Sequence, residues 1–259
     1  MRFSEIPAVS GLVSAREALD WPFPGYQGVA APTRFCFEGT ESGFILHIEA
    51  VFVKPLVYTA RPPKGRVFES DCLELFLRPA RTVPAEQSGR NPESGTEHCA
   101  CSALLQPAPF YFGWEIAPDG CVLDYRAGIG EEGRRCIASG SGTGPLDGSG
   151  ARSGVEPVCG VLHEIIGDTL ISFDYDWKSG AVASSRILQD ENLWKLDLAV
   201  PWSDFGLEKR PSGETWYFTV NRIDVSSDPG GNPGLGCLHR DCTAPRFHQP
   251  DLFRELRIC

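Results

Sequence analysis

The stretch VFESDCLELFL, Val67 to Leu77, sets two carboxylates, Asp71 and Glu74, three residues apart. Two such groups can act as the acid and base that flank a scissile bond. The surrounding pattern argues against that pairing. After Cys72, the residues Leu73, Leu75 and Leu77 alternate with Glu74, Phe76 and Arg78, which is the period of a strand. Strand side chains change face at every residue, so a spacing of three sends Asp71 and Glu74 to opposite faces. A helix would bring them together, but Val67, Phe68, Phe76 and the leucine alternation favour a strand. Glu74 is therefore read as a group that binds rather than as half of a catalytic pair.

Other chemistries are weakly represented. HCAC at His98 to Cys101 gathers three soft ligands in four residues, but a zinc site needs wider spacing and a second ligand pair. The chain contains no G-x-S-x-G and no H-E-x-x-H, and the glycine-rich SGSGTGPLDGSG lacks the lysine of a phosphate-binding loop. Asp174 and Asp176 share a strand face and read, with Asp197, as a solvated surface.

Composition sets the outer limits. With 259 residues, 42% of them hydrophobic, the chain can bury a substantial core, and one domain over 1–259 is expected. The 28 glycines and 21 prolines suit many turns between short strands. A net charge of −10 without a basic cluster disfavours nucleic acid and anionic membrane surfaces. No apolar run is long enough for a membrane span or a signal peptide, so a cytoplasmic location is expected by default. The ten cysteines are then expected to be reduced, and those in RFCFEG and DCLELF to behave as small apolar residues.

Strand signals with turns between them run along most of the chain. TRFCFEG, GFILHIEAVFV, TLISFDYDW, LWKLDLAVPW and TWYFTVNRIDV all alternate. FYFGWEI, the turn APDG and CVLDYRAG form a hairpin pattern. Trp114, Trp194 and Trp216 alternate with other apolar residues and are assigned to the core. In TWYFTVNRIDV, Tyr217, Thr219 and Asn221 take the face opposite Trp216, Phe218 and Val220. Helical signals are limited to SAREALDW, with Ser14 as N-cap and Glu17 three residues later, and one turn in PWSDFGLE. Residues 79–109 and 138–160 have no periodicity and are assigned as long loop insertions. The whole implies an all-β, antiparallel sandwich of jelly-roll or immunoglobulin-like type.

Three segments, taken in order, carry a family resemblance: VFESDCLELFLRP with FYFGWEIAPDGCVLDYRAG, then LWKLDLAVPWSDFGLEKRPSGETWYFTVNRID, then APRFHQPDLFRELRI. Together they resemble the family 9 carbohydrate-binding modules over most of residues 33–258. The resemblance implies a β-sandwich that binds a small sugar or polysaccharide chain end between aromatic rings, with polar side chains on its hydroxyls. It places Glu74 at the sugar and Phe68 where the first stacking ring belongs. Asn221 and Arg222 fall on the strand that carries the family's asparagine and arginine, and Arg126 is taken from its position at the end of the hairpin. The second ring is expected before FHQP, where His239 is the one aromatic present; Trp21, Tyr26 and Tyr111 are the other candidates.

The ligand-binding set is thus Phe68, Glu74, Arg126, Asn221, Arg222 and His239, with no catalytic residue and no cofactor other than the structural calcium that the resemblance allows, for which no EF-hand spacing assigns ligands. Each has a plainer reading: Phe68 as core, Glu74 as a solvated acid or the ion-pair partner of Arg126 or Arg222, and His248 as a local packing group. Three other functions compete. They are a relative that has lost sugar binding and serves as an interaction domain, a haem-binding domain, and a carbohydrate-active enzyme domain. Met1 is the one methionine, so haem ligation would need two of His47, His163, His239 and His248.

Overall fold

The computed structural model describes residues 5–6, 13–14, 33–53, 55–58, 65–83, 104–138, 159–225, 234–237 and 247–258. Within them, two largely antiparallel sheets stack as a sandwich. The larger orders β1 (Glu5–Ile6), β16 (Arg254–Ile258), β14 (Thr215–Asp224), β5 (Cys72–Arg78), β8 (Phe110–Ile116), β9 (Val122–Ile129), β11 (Thr169–Asp174) and β10 (Val161–Ile166), with β15 (Gly234–Cys237) also paired to β14. The smaller orders β12 (Val182–Leu188), β13 (Leu193–Pro201), β4 (Gly43–Val51), β3 (Thr33–Gly39) and β2 (Val13–Ser14).

The alternation in the sequence becomes the core between the sheets. In β4 and β13, Leu46 faces Leu198 and Ile48 faces Leu196. These residues meet Leu73, Leu75 and Leu77 of β5, and Trp114, Trp194 and Trp216 are buried with them. Fully burying one such large side chain contributes about 1.5–3 kcal/mol, so this shared apolar layer holds the sheets together.

The outer faces of the two sheets differ. On the smaller sheet, His47 Nδ1 lies 2.7 Å from Asp197 Oδ1 and Lys195 Nζ 2.9 Å from Glu49 Oε1, a partly solvated polar surface. On the larger sheet the outer face is buried too. Phe76, Tyr111, Tyr125, Phe173, Phe247 and Phe253 form a second cluster there, and six of the seven residues of β5 are buried. A strand buried on both faces is unusual for a simple two-layer antiparallel sandwich and marks this face as more than a solvated exterior.

Several expectations change. The stretch 79–109 is not irregular throughout: β6 (Ala80–Val83) pairs with β7 (Leu104–Pro107), and residues 84–103 lie outside the described residues. Ser14 belongs to strand β2 rather than capping a helix, and residues 15–21 are not among those described. A helix with no counterpart in the sequence reading, α1 (Gly130–Ala138), packs on β9 and β11 ahead of the 138–160 stretch, of which residues 139–158 lie outside the described residues. Gly130 starts it at a φ of +61°, a left-handed conformation that favours glycine. Gly133 lets it sit against the strands, since a Cβ there would fall 2.1 Å from the Pro109 carbonyl oxygen. The helical turn in PWSDFGLE is the 3₁₀ turn Trp202–Phe205.

Candidate functional site

The polar residues of the larger sheet's outer face converge where β14, β5 and β8 lie side by side. Asn221 is directly opposite Glu74, and Glu74 is directly opposite Glu115. Same-face neighbours on adjacent strands have Cβ atoms about 4.5–5.5 Å apart, so the two carboxyls stand side by side. Thr219 Oγ1 donates to Asn221 Oδ1 at 2.9 Å, and Asn221 Nδ2 donates to Glu74 Oε2 at 3.2 Å. From β9, Tyr125 donates its hydroxyl proton to Glu115 Oε1 at 3.1 Å. Cys72, two residues before Glu74, points to the same face.

Glu74 is 3% and Glu115 4% exposed. Burial disfavours the charged form. It lifts Glu74 well above the usual carboxylate range; the neighbouring Glu115 charge adds to the rise, and the Asn221 hydrogen bond opposes it. Burial pushes Glu115 up to about 8, against the pull of the Tyr125 hydrogen bond. Burial, followed by the charges of Glu74 and Glu115, raises the Cys72 thiol as well. Burial thus favours the protonated form of both groups, and a protonated carboxyl can donate as well as accept.

Aromatic side chains frame these groups. The His248 ring stacks on Phe76 with centroids 4.6 Å apart, and His248 Nδ1 lies 2.8 Å from the Tyr111 hydroxyl. At the start of β5, the 3₁₀ turn Val67–Glu69 buries Val67 in this outer cluster and leaves Phe68 37% exposed beneath the Arg66 guanidinium, 5.6 Å from the ring centroid. Asp71 fixes this end. Its carboxylate accepts from the Val57 amide, and its own amide donates to the Val57 carbonyl at 2.8 Å. The loop so tied carries a second exposed ring, Tyr58.

The six sequence-derived site residues therefore separate. Glu74 and Asn221 come together on the outer face, and Phe68 is exposed on the 3₁₀ turn that precedes β5. Arg222 does not join them. It follows Asn221 in the strand, so it enters the opposite face, where it donates to Val51 O at 2.8 Å and Thr33 Oγ1 at 3.2 Å and bridges the two sheets. Arg126 also takes the opposite face. It donates to Asp174 Oδ2 at 2.7 Å and lines a cleft of about 470 Å³ with Phe110, Phe112, Phe205 and Trp216. Neither arginine pairs with Glu74. His239 lies outside the described residues, as do Trp21 and Tyr26, and Tyr111 is fully buried. The described histidines do not converge as a bis-histidine site requires. His47 is on the outer side of the smaller sheet, His163 pairs with Ser172 on the inner side of the larger, and His248 lies on its outer side.

Sequence reasoning missed Glu115, Tyr125 and Cys72. Glu115 alternates with Trp114 and Ile116, so its face was legible; its position beside Glu74 depends on a cross-strand register that neither segment encodes alone.

This geometry limits the chemistry. Glu74 and Glu115 project the same way from neighbouring strands, and their oxygens lie within 4.8 Å of each other and of the Cys72 sulfur. Glycosidase carboxyls flank the bond they cleave, roughly 5–9.5 Å apart, with the sugar between them. Side-by-side, buried carboxyls leave no such gap.

Comparison with solved structures identifies the architecture. A provisionally assigned carbohydrate-binding protein from Bacteroides uniformis superposes with a TM-score of 0.53 at 14% identity, covering 97% of this chain and 86% of that one. The two chains share a fold. Two structures of a family 9 carbohydrate-binding module from Caldicellulosiruptor kristjanssonii are also similar. The cellotriose complex has a TM-score of 0.47 at 8% identity, covering 98% and 91% of the two chains. The glucose complex has a TM-score of 0.46 at 9% identity, covering 93% and 84%. No protein-family profile and no curated protein matches the sequence.

Proposed function

We propose that this protein is a non-catalytic carbohydrate-binding protein that holds a small sugar or the end of a polysaccharide chain at the rim of the larger sheet's outer face. The observation that carries this reading is the joining of two kinds of group at one end of β5. A buried, hydrogen-bonded Glu74–Asn221 pair lies on the outer face, and the turn that leads into the same strand carries the exposed ring of Phe68. Sugars have apolar C–H faces that stack on aromatic rings and hydroxyls that need partners once desolvated. Phe68 and Tyr58 supply the first requirement. The second falls to Glu74 and Asn221, which are 3% and 0% exposed and so meet a hydroxyl only where the side chains that cover them move aside.

Two further points support the reading. The fold is shared with a protein provisionally assigned to carbohydrate binding. The Asp71 anchor pre-organises the rim, which reduces the ordering lost on binding.

Isothermal titration against a panel of mono-, di- and oligosaccharides that includes glucose and cellotriose tests the proposal. At least one sugar is expected to give saturable heat, and Phe68→Ala to weaken it by about tenfold, as for the loss of roughly 1–2 kcal/mol of stacking. Unchanged affinity in Phe68→Ala would remove the ring from the site.

A further inference from the structure

We propose that Cys72, Glu74 and Glu115 form a binding site for a divalent transition cation of the zinc class, set into the outer face of the larger sheet. One Sγ and two carboxylate oxygens, all on buried residues, lie within 4.8 Å of one another. Zinc binds such atoms at about 2.0–2.3 Å. Zinc would draw these three atoms from that separation to the roughly 3.5 Å edge of a tetrahedron.

Two independent features point to a ligand. First, Glu115 Oε2 is fully buried and has no hydrogen-bond partner among the described residues. A buried carboxylate oxygen left unsatisfied is costly, and this one belongs to the group that faces Cys72 and Glu74. Second, each carboxyl already has an outer partner: Asn221 Nδ2 donates to Glu74 Oε2, and the Tyr125 hydroxyl donates to Glu115 Oε1. Metal-binding side chains are characteristically oriented by just such donors outside the ligand shell. The Cys72 thiol, by contrast, has a weak contact at 3.6 Å with the carbonyl of Leu73 and is available as a ligand.

The donor set selects the ion. Calcium takes six to eight oxygens, and a sulfur with two carboxylates does not provide them. Thiolate with carboxylate suits zinc or cobalt(II). Three protein ligands leave a fourth position open. The site shares Glu74 with the saccharide reading, whereas Cys72 and Glu115 have no part in that reading and serve to tell the two apart.

Cobalt(II) is the probe. Purified protein is stripped with EDTA, dialysed, and titrated with Co²⁺ under reducing conditions. The expected result is a near-ultraviolet thiolate-to-cobalt charge-transfer band that saturates at one equivalent, with a rise in Tm on metal addition. Cys72→Ser is expected to abolish the band, and Tyr125→Phe, which touches no metal, to weaken affinity about 10- to 100-fold. Far-UV circular dichroism confirms that each variant is folded; if Cys72→Ser is not, Cys72→Ala takes its place. A band that persists without Cys72, or native protein with neither band nor Tm rise at saturating Co²⁺, overturns the site. Failure here leaves sugar titration unaffected, so the two proposals fail separately.

Discussion

Replacing Glu115 by glutamine in metal-free protein should remove a large part of the pH dependence of stability. The carboxyl is fully buried in the folded state and titrates at about 8, against an ordinary value of 4.5. The folded protein therefore binds this proton more tightly than the unfolded chain does. The stability it contributes is complete below about pH 4.5, drains as the pH rises, and is gone above about pH 8. A rise from 4.5 to about 8, at about 1.4 kcal/mol per pH unit, corresponds to on the order of 5 kcal/mol. That is a large share of the roughly 5–15 kcal/mol that holds a typical domain together.

Glutamine keeps the shape and can still accept from Tyr125, but it does not titrate. Urea unfolding with EDTA present, at half-unit steps from pH 5 to 9, should show wild-type stability falling by several kcal/mol and the variant's curve markedly flatter. Above pH 8 Glu115→Gln should be the more stable protein. A wild-type curve that rises over this interval, or two parallel curves, would show that Glu115 is solvated or paired with a cation, and the account of the buried pair would fail.

Other expectations follow from particular contacts. Asn221→Ala removes the donor to Glu74 and should weaken sugar binding by about 0.5–1.5 kcal/mol, read by titration; a variant that binds as before would exclude Asn221. Arg222→Ala strands the buried partners of a side chain that bridges the sheets, and should cost about 3–5 kcal/mol in chemical unfolding; a loss below 1 kcal/mol would contradict that role. Gly113→Ala places a Cβ 2.4 Å from the Tyr125 ring, so it should destabilise by about 1–3 kcal/mol, whereas an unchanged Tm would mean that the ring moves freely.

Local alternation made much of the fold legible. The inward set of β4, β5, β13 and β14 was readable residue by residue, because a half-buried strand reports its faces with period two. The same rule separates Asn221 from Arg222, adjacent in one strand, and so excludes a shared ligand; the resemblance drew them together where the geometry does not. Three features were not local. The Glu74–Glu115 contact needs the pairing register of β5 with β8. The burial of the larger sheet's outer face was hidden because Tyr217, Thr219 and Asn221 read only as the face opposite Trp216, Phe218 and Val220, whereas Thr219 and Asn221 are fully buried. Helix α1 is nine residues long with two glycines, so its pattern is too short and too weak in propensity to stand out.

The most direct test of the account follows the outer-face residues during sugar titration. In a ¹H–¹⁵N NMR titration of wild-type protein with the best sugar from the panel, the side-chain amide of Asn221 and the backbone amides of residues 66–74 should shift together and saturate. Saturating shifts confined to the Arg126–Phe205 cleft, or no shifts with any sugar at millimolar concentration, would contradict the assignment of the binding face.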